Sequence, residues 1–275
     1  MLHIKKMSKP LYFRCDQSTD CHDVSDEKNC QIVIIDENNY LKDKPPKQGI
    51  VKVRVELLKI LEIGEVAMLF SSQYALQLEW LDGRITYYNL HGNQSLNTLV
   101  EEEKQMIWTP SFIFDNTKSK TRTTTDKESI ISVRRMGNFS RNTIESIDNV
   151  YIFRGRENPL DMARIYQTDW ICDYLMNWYP FDTQKCSLTF ALTDELNNFI
   201  KIIPNGHEYL GPVELTQYFV RDTKMISERV GKKNIQAIVY EVRLGQRLLG
   251  NLLTIFLPTI LLNVIGRNYK QWSYN

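Results

Sequence analysis

Apolar and polar residues alternate along much of this chain with a period of two. Val51-Lys52-Val53-Arg54-Val55-Glu56-Leu57 sets an apolar side chain at every second position with charged ones between, the pattern of a half-buried strand. A longer strand-like run extends from Met68 to Trp80, and further strands are expected at 84–90, 130–136, 150–153, 185–192, 218–221 and 234–244. Turn residues separate them, for example Asp82-Gly83, Gly155-Arg156 and Pro204-Asn205-Gly206. Many short strands at such spacing predict a mainly β antiparallel sandwich. A short helix is expected near Pro45 to Ile50. The stretch 31–48 opens with Ile32-Val33-Ile34-Ile35, turns polar and carries Pro45-Pro46, so most of it reads as linker or edge-hugging segment.

The alternation ends at Leu248. From there to Ile265 the chain carries no formal charge and is mostly Leu, Ile, Val and Phe. A membrane helix needs about 20 apolar residues, and the run predicts one over 247–266. Pro258 would break a soluble helix but is tolerated in a bilayer. Arg243 and Arg247 precede the run and Arg267 and Lys270 follow it, so charge bias barely decides orientation. The alternative is a buried hairpin of a soluble domain.

Composition narrows the class. With 275 residues, 43% of them hydrophobic, the chain can fill a core, and a formal net charge of +1 offers no basic surface for nucleic acid. The start, Met1 to Pro10, has positive charge but no apolar stretch and is not a signal peptide. That start and the abrupt stop at Asn275 are read as an incomplete chain. Two sequons, at Asn93 and Asn138, permit glycosylation in a secreted setting. Catalytic signatures are missing: no Gly-x-Ser-x-Gly, Walker loop, Gly-x-Gly-x-x-Gly or His-Glu-x-x-His occurs, and the four histidines are scattered.

The five cysteines fall into two groups. Cys172 and Cys186 enclose Asp173 to Lys185, a spacing that can close a small loop, and such a crosslink stabilises by roughly 3 kcal/mol on the loop-entropy account. The filling is Trp178-Tyr179-Pro180-Phe181-Asp182, with Asp173 just after the first cysteine and Gln184 two before the second. This resembles the signature loop of pentameric Cys-loop neurotransmitter-gated channels. Trp80-Leu81-Asp82-Gly83-Arg84 is similar to that family's Trp-x-Asp-x-Arg stretch. Trp108-Thr109-Pro110 is similar to its Trp-x-Pro-Asp stretch, with Ser111 replacing the usual Asp. The resemblance covers roughly Ile50 to Gly266. It implies an immunoglobulin-like ligand-binding β-sandwich over 36–246, a first membrane helix over 247–266 and a tail over 267–275. It also implies an extracellular N-terminal domain at the plasma membrane and assembly with homologous subunits in a homo- or heteropentamer. In the family the cysteine-closed loop touches the membrane part, which would make Trp178, Tyr179 and Phe181 an apolar foot, Asp182 its fixed charge and Tyr179-Pro180 a candidate cis bond.

Ahead of this domain, Cys15-Asp16-x-x-x-Asp20-Cys21-x-Asp23-x-Ser25-Asp26-Glu27-x-x-Cys30 resembles the second half of an LDL-receptor class A module, assigned to 1–35. That resemblance implies a Cys15–Cys30 disulfide and leaves Cys21 without a partner cysteine. It aligns Asp16, Asp20, Asp26 and Glu27 with the carboxylate ligands of a calcium ion and Phe13 and Ser18 with carbonyl ligands, an oxygen set that suits Ca2+.

The family holds transmitter amines in an aromatic box between subunits by cation–π attraction. Here the corresponding positions are Ala75, Ile113, Thr193 and Glu195, and the stretch Ser227 to Lys233 has no aromatic residue. A quaternary amine does not fit this face. The ligand is expected to be anionic, a metal or a proton, or to bind elsewhere; the alternative is a subunit that contributes only a complementary face in a heteromer. Arg229 and Lys232 are the candidate contacts for a carboxylate, beside Ile113, Thr193 and Glu195. The expected function is a ligand-gated channel subunit that couples ligand to pore through the cysteine loop. The alternatives are a non-conducting membrane-tethered or secreted isoform that binds ligand or modulates assembly, and an adhesion-type protein working through its acidic module.

Overall fold

A computed structural model describes residues 15, 18–23, 27, 30–36, 38–47, 49–118, 122–138, 140–142, 150–177, 179, 181–247, 253 and 256–273. The protein is mainly β. One sheet runs in the order β11 (Ile200–Tyr209), β2 (Gly49–Gly64), β3 (Leu69–Trp80), β9 (Leu160–Ile171), β6 (Ile130–Val133). A second runs β12 (Tyr218–Val230), β13 (Ile235–Gln246), β10 (Thr183–Leu192), β5 (Phe112–Phe114). A third, smaller in span, runs β1 (Val33–Ile34), β4 (Thr86–Tyr88), β8 (Val150–Arg154), β7 (Ser140–Asn142). All these pairings are antiparallel except β11 with β2, which is parallel.

The period-two pattern does what it predicts. Val51, Val53, Val55 and Leu57 of β2 are fully buried, while Lys52, Arg54 and Glu56 lie on the opposite face. The first two sheets pack face to face through aromatic rings. Tyr74 of β3 meets Phe190 of β10 at 5.5 Å between centroids, and Trp170 of β9 meets Phe114 of β5 at 5.7 Å. Edge and tilted geometries of this kind are preferred by ring quadrupoles.

Several sequence expectations are corrected. β9 was not foreseen, because its inward positions Arg164, Tyr166 and Thr168 are polar and hide the alternation; the Arg164 guanidinium lies 5.0 Å over the Tyr166 ring instead. Pro204-Asn205-Gly206 is not a turn between strands. It is a bulge inside β11, where the register against β2 shifts between Pro204 and His207 and Gly206 takes φ +104°. An edge strand tolerates a proline at a bulge because no ladder hydrogen bond is lost. β12 runs to Val230, well past 221, with its own shift between Val220 and Asp222. No helix forms at 45–50, since β2 begins at Gly49; the short helix is α1 (Glu101–Met106), whose first turn holds Glu101, Glu102 and Glu103 at the positive end of the helix dipole.

The C-terminal helix α2 spans Leu257–Ser273 and continues past the expected end at Gly266. Among the described residues, no helix is long and apolar enough to cross a membrane. Pro258 lies within α2, and wider π-type turns at Leu253 and Phe256 precede it, the local adjustment by which a helix accommodates proline. Its apolar side chains stand free of the β-domain: Leu262 is 70% exposed and Ile265 62%.

Candidate functional site

The cysteine-closed loop sits where β9 ends and β10 begins. Cys172 and Cys186 are joined, with Cα atoms 5.1 Å apart. Gln184 staples the loop from inside: its Oε1 accepts from Leu175 N at 2.9 Å, and its Nε2 donates to Leu175 O at 2.9 Å and to Asp182 Oδ2. Asp182 is buried, and its Oδ1 has no hydrogen-bond partner among the described residues. The loop presents Leu175 and Phe181 to the outside, 67% and 70% exposed. Trp178 and Pro180, and with them the Tyr179-Pro180 bond, lie outside the described residues.

The loop is fastened to the five-stranded sheet that β9 belongs to. Cys172 N donates to Met68 O at 3.0 Å and the Tyr174 hydroxyl to Leu69 O at 2.9 Å, the residue just before β3 and its first residue. In the same β2–β3 turn, Glu65 accepts the hydroxyl of Tyr218, the first residue of β12. Burial and the Glu65 carboxylate push the Tyr218 phenol well above its ordinary value. Tyr218 pairs across the sheet with Gln246, the last residue of β13, one position before Arg247. Thus the loop, the β2–β3 turn and the strand leading toward α2 are linked by side-chain bonds.

The Trp-Leu-Asp-Gly-Arg stretch builds a second hub. Asp82 is fully buried and holds Arg84 through contacts of 2.8 and 2.6 Å. Arg84 lies 4.6 Å over the Tyr40 ring and donates to Lys44 O at 2.8 Å. The Tyr40 hydroxyl donates to Asp82 at 3.3 Å and accepts from Trp108 N at 2.7 Å, and Trp108 meets Trp80 edge-on at 6.3 Å. The two tryptophan motifs therefore serve architecture, and they pin down the segment read from sequence as linker.

The candidate ligand contacts divide. Thr193 is buried, and its carbonyl accepts from Leu196 and Asn197 N in the turn after β10. Glu195 in that turn is exposed, as are Arg229 near the end of β12 and Lys232 at the β12–β13 tip. The structure brings turn and tip together: Lys233 pairs with Asp194, and Gln236 N donates to Asn197 Oδ1 at 2.9 Å. Ile113 lies in the same sheet, opposite Ala191. Ala75 does not join them; it is on β3, opposite Glu56 and Ile165.

Sequence reasoning missed a groove of about 430 Å³ on the outer face of the five-stranded sheet. Lys52, Arg54, Glu79, Gln94, Arg134 and Asp161 line it. Lys52 contacts Glu79 at 2.7 Å, Glu79 contacts Arg134, and Arg134 contacts Asp161 at 2.8 Å. Burial alone would raise the Glu79 carboxyl, but hydrogen bonds from Lys52 and Arg134 hold it below its ordinary value. Arg54 meets Glu56 at 2.8 Å and Glu208 at 3.3 Å. The signal was the charged half of the β2 alternation; its partners lie on β2 itself, β3 and β11, and only the far end of the chain of ion pairs, Asp161, sits on the unrecognised β9.

In the N-terminal module, Cys15 and Cys30 are joined, with Cα atoms 5.6 Å apart, and Cys21 forms no disulfide. Of the calcium candidates, Ser18, Asp20 and Glu27 are described, while Phe13, Asp16 and Asp26 lie outside the described residues. Among the described residues, no three His, Cys, Asp or Glu side chains come close enough to hold a metal. Both sequon asparagines, Asn93 and Asn138, are exposed.

Comparison with known proteins gives these features a context. Residues 35–148 match the neurotransmitter-gated ion-channel ligand binding domain, and residues 10–30 match the low-density lipoprotein receptor domain class A. A glutamate-gated chloride channel of Drosophila melanogaster is 28% identical over 144 residues, which are 52% of this chain and 26% of that relative. The chain thus spans about a quarter of the length of the curated relative it matches. With the disulfide-closed loop in place behind the matched segment, residues 35–148 are similar to the ligand-binding domain of neurotransmitter-gated ion channels, and residues 10–30 ahead of them are similar to the LDL-receptor class A domain.

Proposed function

We propose that this chain is a subunit of a ligand-gated ion channel that binds a small anionic ligand between homologous subunits of a homo- or heteropentamer and passes the signal to a pore through the Cys172–Cys186 loop. The observation that carries the reading is the triple fastening at one end of the domain. The stapled loop, the Glu65–Tyr218 tie and the Tyr218–Gln246 pair converge where the chain leaves for α2. Motion of either sheet is carried to that point. The exposed apolar side chains of α2 suit lipid or neighbouring helices and support a plasma-membrane subunit with an extracellular β-domain. Glycosylation at Asn93 and Asn138 fits that placement, and Ca2+ in the N-terminal module is proposed on the resemblance alone.

The ligand class follows from what lines the candidate face. No aromatic side chain stands at Ala75, Ile113, Thr193 or Glu195, whereas Arg229 and Lys232 on the hairpin are exposed and offer guanidinium and ammonium groups that match a carboxylate. The glutamate-gated relative points the same way. The test is expression of the subunit in oocytes, alone and with related subunits, against a transmitter panel. Carboxylate-bearing amino acids are expected to evoke current and quaternary amines none; the reverse outcome overturns the ligand class. Binding without current in every combination favours the non-conducting, assembly-modulating form. Cys172→Ser is expected to abolish surface assembly, and normal currents from it would refute the role of the loop.

A further inference from the structure

Glu103 is 2% exposed, yet among the described residues its carboxylate meets no cationic side chain. Its Oε1 accepts from Ile32 N at 2.6 Å and Val33 N at 2.8 Å, and its Oε2 accepts from Val100 N at 3.1 Å. The Val100 contact caps α1, as Glu at the third helical position commonly does. The other two contacts reach 70 and 71 residues back along the chain and have nothing to do with capping. They seize the first residues after Cys30, the end of the N-terminal disulfide loop. Around them Val33 is fully buried and pairs with Tyr87, and Tyr88 N donates to Ile32 O at 2.8 Å. Only Gln31 separates the disulfide from the first clamped residue.

We infer that Glu103 is the anchor that mounts the N-terminal cysteine-rich module on the β-domain as a fixed extension, so that anything the module captures loads β1 and, through it, the β4–β8 sheet. A carboxylate is the required group because all three partners are N–H donors. An ionised carboxylate offers acceptors on both oxygens, whereas glutamine must turn an NH2 toward at least one donor. Glu103 acts here as a positioning residue.

The experiment is residue-resolved hydrogen exchange on the full chain, with a spin-label distance measured between cysteines placed by His22→Cys and Glu102→Cys, both at exposed positions, in a Cys21→Ser background. In the wild type, the Ile32 and Val33 amides are expected to be as protected as those of β4, and the label distance to be narrow. Glu103→Ala is expected to speed exchange at those two amides about tenfold or more while leaving β13 amides unchanged, and to broaden the distance. Unchanged exchange and distance in Glu103→Ala overturn the inference. Should that variant not fold, the wild type alone decides: fast exchange at Ile32 and Val33, or a broad label distance, overturns it equally. In Glu103→Gln, faster exchange at Ile32 and Val33 supports the requirement for a carboxylate, and β1 amides as protected as in the wild type overturn it.

Discussion

Asp82 is held in a fully buried position because the Arg84 side chain brings two hydrogen bonds to it, the Arg84 amide a third and Tyr40 a fourth. Buried carboxylates with such partners tolerate little displacement, and Gly155 shows how little. Its N donates to Ile85 O at 3.0 Å, and a Cβ on it would stand 2.2 Å from Asp82 O and 2.7 Å from Ile85 O. Both are backbone atoms, so nothing flexible can yield. Gly155→Ala is therefore expected to destabilise by about 2 kcal/mol or more, read as a lower denaturant midpoint. The tryptophans and Asp82-Gly83-Arg84 were legible in the sequence as a motif. Gly155 was legible only as a turn residue, because its crowding comes from a carbonyl more than seventy residues earlier.

Among the elements, β12 carries the most function per residue. It starts at the Glu65–Tyr218 tie and ends at the hairpin tip with Arg229 and Lys232 nearby, so it joins the coupling end of the domain to the candidate ligand end. Tyr218→Phe keeps the ring in its buried place and deletes only the bond to Glu65. Ligand binding is expected to be unchanged, and the maximal channel response to fall; an unaltered response with the bond removed would deny the tie a part in coupling. The sequence showed only the first four residues of this strand, since beyond them polar residues replace the apolar alternation and only pairing with β13 keeps the strand extended. β9 was hidden for a related reason, as its inward Arg164 and Thr168 are satisfied by neighbours from other elements.

For the molecule as a whole, the ionisable groups set a pH window. Glu79 and Glu241 both titrate below the ordinary 4.5: burial opposes this, but hydrogen bonds from Lys52 and Arg134, and from Arg243 and Lys224, outweigh it. A depressed carboxyl stabilises fully above its unfolded value, so this stability is expected to disappear as pH falls below about 4.5. At the other end, burial pushes Tyr40, Tyr166 and Tyr240 up to about 12, while the unfolded chain ionises near 10.0. Stability is then complete below 10.0 and declines as pH rises toward 12. Urea midpoints across the pH range check both limbs, and Glu79→Gln should flatten the acid one.

Local pattern was enough for the strands whose apolar faces repeat every second residue, for the class of the domain and for the loop that Cys172 and Cys186 can close, while the Cys15–Cys30 segment followed from resemblance to a known module. Periodicity and cysteine spacing are written in neighbouring residues, and burial of one face follows from them directly. Tertiary structure alone decided the charged groove, the tie between Glu65 and Tyr218, and the Glu103 anchor. Each joins groups scores of residues apart, and their energies depend on burial and on which donor meets which acceptor, quantities that exist only once the sheets have packed.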